Sequence, residues 1–146
     1  MSPRVPKGES LHRVGLTIQD ILTSSGKYPE RPVKWPPTKE IVSHATVLTT
    51  RLNRLGDYWE RQLTLSSGYR PPAVNALTKG AAKGSLHQLC CAADILDPNG
   101  ELAKFVMGDL PMMEHIGLWV EDPFYTKGWL HVQIFPPRSG NRVFKP

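Results

Sequence analysis

Few specialised features mark this sequence. It has only two cysteines, and they are neighbours, Cys90 and Cys91. Adjacent cysteines bridge each other poorly, because a disulfide needs a wider Cα separation. The chain therefore reads as disulfide-free, with thiols suited to synthesis in a reducing compartment. The spaced cysteine pairs of a thiolate zinc site are missing too. No stretch approaches the ~20 apolar residues of a membrane-spanning helix. The first thirty residues hold no apolar run of signal-peptide length, and Pro3 and Pro6 interrupt the start. The expectation is a chain made in the cytoplasm without a signal peptide and with no membrane span. Internal repeats and low-complexity tracts are absent.

Clustered charge is also lacking. The formal charge is +5 and the pI near 9.4, which suits an anionic partner such as nucleic acid or an anionic cell-wall polymer. The basic residues are scattered, with no run of five and no arginine-rich helix, so nucleic acid is disfavoured.

What remains is an ordinary soluble composition, 40% apolar and 21% charged over 146 residues. That length suits one domain, expected as a monomer, and can bury roughly 68–70% of its unfolded surface. Residues 1–37 read as an irregular leader wrapping a core of residues 38–146. Within the leader, Met1 to Gly15 is basic, and Leu16 to Leu22 is a short helix capped by Thr17 and ended by Gly26. Lys27 to Thr38, with Pro29, Pro32, Pro36 and Pro37, is an extended connection anchored by Trp35.

The clearest helix is Thr38 to Gln62. Ile41, Ala45, Leu48, Leu52, Leu55 and Trp59 form one apolar stripe, and Thr38 is its N-cap. Strands are expected at Leu63–Ser66, Cys91–Leu96, Ile116–Glu121 and Trp129–Ile134. Ala73 to Ala82 reads as a helical turn and loop, with Gly80 and Gly84 allowing close approach to the His87 stretch. A helix over Glu101–Met107 follows a turn in which Asp97 or Asn99 caps it. Leu110 to Met113 reads as an apolar connection, Asp122 to Gly128 as a turn, and Pro136 to Pro146 as an irregular basic tail.

The chemistry concentrates in SLHQLCCAAD, Ser85 to Asp94, and in WLHVQI, Trp129 to Ile134. In the second stretch Leu130, Val132 and Ile134 alternate with Trp129, His131 and Gln133, the period of a strand. An aliphatic face toward a core turns His131 outward with Trp129 and Gln133 beside it. His87, Asp94 and His131 are donors of the type zinc prefers, and three protein ligands leave a catalytic fourth position open. From these residues alone the alternative is a hydrogen-bonded histidine and a solvated aspartate. Cys90 lies three residues from His87 and can pack or ligate. His44 reads as a surface histidine.

Three stretches together, SGYRPPAVN, SLHQLCCAADI and WLHVQ, resemble the zinc D-Ala-D-Ala carboxypeptidase and L-alanyl-D-glutamate peptidase family. That family has the hedgehog/DD-peptidase fold and includes phage endolysins and prophage proteins. Its pattern falls on Ser67 to Arg70, on Ser85, His87, Ala92 and Asp94, and on Trp129 and His131. The resemblance implies an α+β fold, a small antiparallel sheet with helices packed on one side. It implies zinc held by His87, Asp94 and His131, and the peptide stem of peptidoglycan as substrate, cut after release or within a virion. Arg70 would hold a substrate carboxylate or carbonyl, its alternative being a structural ion pair. Ser85 would orient the site or a substrate amide. Tyr69, Trp129 and Gln133 would line the groove, or merely pack. Two departures stand out. The family glycine of the second motif is Cys90. The acid that many members carry before the last histidine is Gly128, which leaves Glu121, with Asp122 beside it, as candidate general base. A catalytically degenerate wall-binding or virion module is the competing reading.

Overall fold

Thr17 opens the ordered chain as its sequence suggests. In this computed structural model, which describes residues 14–146, the Thr17 side chain accepts from the Asp20 amide while Asp20 accepts from the Thr17 amide. This capping box satisfies two orphan donors at once and starts helix α1, Ile18–Thr23. The first thirteen residues of the expected basic leader lie outside the described residues. Helix α1 ends at Ser24, not Gly26: Ser24 and Ser25 both take left-handed backbone, φ 54° and 56°.

Residues 27–38 are not wholly extended. Arg31–Lys34 forms helix α2, with a proline in its first turn, where a missing N–H leaves no bond unmade. Earlier in the expected leader, Leu16, Ile21 and Leu22 belong to the main apolar core.

Helix α3, Lys39–Trp59, follows the apolar stripe, with Thr38 accepting from the Ile41 amide. Ala45, Leu48, Leu52 and Leu55 are fully buried, and Ile41 and Trp59 pack partly buried at the two ends. Each buried leucine contributes about 1.5–3 kcal/mol by leaving water, so this one face anchors the domain. His44 is half-buried, its Nδ1 3.0 Å from the Leu89 carbonyl oxygen.

The remaining elements are β1 (Leu65–Ser67), α4 (Pro72–Leu77), β2 (Ala92–Asp97), α5 (Glu101–Met107), α6 (Leu110–Ile116), β3 (Trp119–Glu121), β4 (Gly128–Gln133) and β5 (Val143–Phe144). The strands form one sheet in the order β1-β2-β4-β3-β5. The class is α+β, as expected. The sheet is antiparallel except at its edge, where β5 pairs parallel to β3.

Four local readings are corrected. Leu110–Met113 is the start of helix α6: Asp109 accepts from the Met112 amide, a proline sits in the first turn, and Gly117 ends it at φ 90°. Strand β3 accordingly begins at Trp119, not Ile116. The tail is not irregular throughout, because β5 returns to the sheet. Gly80 and Gly84 make no close approach, since an added Cβ at either would meet nothing within 4 Å. Helix α5 is capped from a distance, Asp97 accepting from the Leu102 and Ala103 amides at 3.0 and 2.9 Å.

The β2–β4 ladder sets the site. Ala92 faces Gln133, Asp94 faces His131 and Leu96 faces Trp129. The intervening Ala93, Ile95, Leu130 and Val132 are fully buried on the opposite face, as strand alternation requires.

Candidate metal centre

His87 comes from a 3-10 turn, Leu86–Leu89, not from a strand. Ser85 caps it, its hydroxyl accepting from the His87 amide at 3.2 Å. Cys90 closes it in the left-handed region, φ 57° and ψ 32°, backbone that a glycine adopts at no steric cost. That is the physical sense of the family glycine at this place, and Cys90 preserves the turn at a conformational cost. Its side chain is fully buried in the core. Burial pushes the Cys90 thiol up to about 12 and the Cys91 thiol to about 11. Both cysteines are fully buried and neither belongs to the group that could hold a metal; both pack.

The turn is braced from Gly68. The Gly68 carbonyl lies 2.9 Å from His87 Nδ1, and the Arg70 amide donates to the His87 carbonyl at 3.0 Å. Gly68 in turn donates to the Ser24 hydroxyl at 2.9 Å, and the Tyr69 amide donates to the Ile21 carbonyl at 2.8 Å. A Cβ on Gly68 would stand 2.3 Å from the Ile21 oxygen, so only glycine fits.

His87, Asp94 and His131 converge: one ligand atom from each lies within 4.8 Å of the others. Asp94 is the hub, with Oδ2 3.3 Å from His87 Nε2 and Oδ1 2.9 Å from His131 Nδ1. Burial opposes the Asp94 charge, but the two histidines, through charge and hydrogen bonds, hold its carboxyl well below the usual carboxylate range. Burial likewise depresses His131, and the hydrogen bond and charge of Asp94, helped by Gln133 and Glu121, raise it overall.

The donor set fits zinc. Two imidazole nitrogens and one carboxylate are borderline and hard donors of the kind catalytic zinc uses. A tetrahedron with bonds of ~2.0–2.1 Å has edges of about 3.3 Å, the separation found between His87 Nε2 and Asp94 Oδ2. Each donor comes from an element tied to the core, so little ordering entropy opposes binding.

The other predicted residues divide. Glu121 is on the right face: β3 pairs Val120 with Val132, so the next residue falls beside His131. Burial pushes the Glu121 carboxyl up, against the pull of His131, and Asp94 and Asp122 add to the rise. Trp129 is 38% exposed beside Leu96 at 50%, available as a wall. Arg70 is nearly buried. It donates to Asn75 Oδ1 and to the Ser67 hydroxyl, and lies 3.6 Å from Asp94 Oδ2, so the ion pair is what the structure contains. Burial lowers its pKa and Asp94 opposes that.

Two residues offered either for the groove or for packing are buried. Tyr69 is 3% exposed within the core, its hydroxyl donating to the Trp35 carbonyl at 3.2 Å; it packs. Gln133 is 6% exposed, with its amide oxygen toward His131. Residues to which the sequence reading gave no role are Ser24, Gly68 and Asn75, whose amide donates to the Ala82 carbonyl. Only Gly68 carried a signal, as a glycine inside a strand-end motif, which marks a close backbone approach.

Residues 15–109 match the family described as Peptidase M15. The match covers more than half of the chain, and the chain belongs to that peptidase family. This is the family its motifs resemble. The matched region contains Arg70, His87 and Asp94 and ends before Glu121 and His131, which reach the site through sheet pairing. No curated protein and no solved structure matches the chain.

Proposed function

We propose that this chain is a zinc peptidase that cleaves an amide bond in the peptide stem of peptidoglycan, as a D,D-carboxypeptidase or endopeptidase of the endolysin type. The observation that carries the reading is the convergence of His87, Asp94 and His131 within 4.8 Å in a chain of a peptidase family. Zinc held there supplies Lewis acidity, polarising the scissile carbonyl and lowering the pKa of water toward neutrality.

The chain's own groups do the rest. Glu121, raised by burial, is poised to take a proton from the attacking water at its carboxylate and pass it to the leaving nitrogen. Arg70 offsets the Asp94 charge and lends its guanidinium to a substrate carboxylate or carbonyl that reaches it. Ser85 orients His87 through its amide. Trp129 and Leu96 form an apolar wall. The partner is the stem peptide, not nucleic acid, and the chain acts as a monomer. It meets the wall after release or within a virion.

One observation favours a second reading. Gly128, where many relatives carry the acid, has φ 96° and open space around it, so nothing on β4 replaces that group. The chain would then be a silent wall-binding or virion module of the same fold. A muropeptide digest by zinc-loaded protein separates the two. Glu121→Gln should hold zinc normally and cleave about 10²–10⁴-fold more slowly, with Asp122→Asn affected less. Equal rates in Glu121→Gln and wild type remove Glu121 as the base. Zinc-loaded wild type that releases no product establishes the module.

A further inference from the structure

Both ends of the Gln133 amide are engaged. Its oxygen lies 3.0 Å from His131 Nε2, and its nitrogen donates to the Phe135 carbonyl at 2.9 Å. The two bonds depend on each other. A backbone carbonyl only accepts, so the amide nitrogen must face Phe135 and the amide oxygen must face His131. An amide oxygen also only accepts, so His131 Nε2 must be the donor and carry the proton. A neutral imidazole protonated at Nε2 keeps its lone pair on Nδ1. Nδ1 is the atom turned toward the metal group, 2.9 Å from Asp94 Oδ1; a proton there makes the hydrogen bond to Asp94 in the metal-free ring, and it is the proton that metal binding releases.

We infer that Gln133 is a positioning residue for the metal centre: it fixes His131 in the tautomer whose Nδ1 is free to bind zinc, and its bond to Phe135 prevents the amide flip that would favour the other tautomer. The inference rests on the zinc reading above and deepens it. The same site holds an internal comparison. At His87 the carbonyl of Gly68 faces Nδ1, so that ring is protonated at Nδ1 and presents Nε2 to Asp94. The two histidines thus present opposite ring nitrogens, each set by an acceptor on its far side, the arrangement by which outer partners orient metal-binding histidines. The local geometry permits it because residues 131 and 133 lie on the same face of β4, two apart.

The test compares wild type, Gln133→Leu and Gln133→Glu. Zinc affinity is measured by chelator competition, metal-free stability by denaturant unfolding, and the His131 ring tautomer by nitrogen NMR of zinc-loaded protein. Gln133→Leu should bind zinc about 10–100-fold more weakly. Gln133→Glu keeps an acceptor for Nε2–H and loses the donor to Phe135, so it should lose stability yet bind zinc at least as tightly as wild type. Affinity falling in step with stability in both variants overturns the inference, because that is the signature of packing alone. Should Gln133→Leu fail to fold, the wild-type ring spectrum decides: a proton on Nε2 supports the inference and a proton on Nδ1 overturns it. Wild type that binds no zinc sinks the zinc reading and the inference with it. Equal binding by wild type and Gln133→Leu sinks the inference alone.

Discussion

His87 and His131 stand ring to ring, centroids 5.3 Å apart, yet they are held by opposite means. His131 sits inside a ladder that runs from Ala92↔Gln133 to Asp97↔Gly128, and its orienting partner is on its own strand. His87 has no ladder. Its turn is fixed by the Gly68 carbonyl, and Gly68 is fixed by Ser24 and Ile21, more than forty residues earlier in the chain. One ligand is therefore local in origin and the other depends on a remote brace. Ile21 and Ser24, from the stretch that reads as a leader in the sequence, thus brace the metal site.

Gly68→Ala should break the comparison hardest. The new Cβ meets backbone at 2.3 Å, which no rotamer can relieve, and the Tyr69–Ile21 bond would part. A loss of about 3–4 kcal/mol is expected from overpacking plus the lost hydrogen bond, and tight zinc binding should go with it. Denaturant unfolding and chelator competition read the two effects. A wild-type stability would show that α1 does not brace the site.

Ser24→Ala is the milder version. It leaves the buried Gly68 amide without an acceptor, at about 1–3 kcal/mol. Ser25→Ala removes the corresponding bond from the half-buried Leu65 amide and should cost less. If the brace acts through His87, Ser24→Ala also weakens zinc binding while Trp129→Ala, on the exposed side of β4, leaves it unchanged. Zinc affinity insensitive to Ser24 would mean that the His87 turn holds its own shape.

Cys90 tests that turn with the smallest effect. At neutral pH, Cys90→Gly removes the left-handed strain and also the buried packing, so stability should change little. The pH dependence should change more. Burial holds the Cys90 thiol neutral to about 12, whereas in the unfolded chain it ionises near its ordinary value of 9.0. The folded pKa is the higher one. Its contribution is therefore complete below pH 9 and is lost as pH rises toward 12, by about 1.4 kcal/mol per unit. Unfolding midpoints at pH 7 and pH 10 should diverge more in wild type than in Cys90→Gly. Equal divergence would place the thiol in contact with water.

Local pattern was enough for much of this molecule. The α3 stripe, the alternation of β4 and the types of the three donors could all be read from the chain, because helix and strand periods place neighbours on faces without reference to anything distant. Helix α6 was legible too in principle, from Asp109 and Pro111, but its apolar run also reads as a connection.

Tertiary structure decided the rest. Whether Arg70 pairs with Asp94, whether Tyr69 faces a groove or the core, and which nitrogen of each histidine meets the metal all depend on groups far apart in the chain. Strand β5 is two residues long and exists only through its pairing with β3, where it sets Phe144 against the His131 ring at 6.0 Å. Sequence alone determined which side chains could bind a metal. Only the packed backbone decided how they are aimed, because a hydrogen bond has a direction and its partner is found in space, not in sequence.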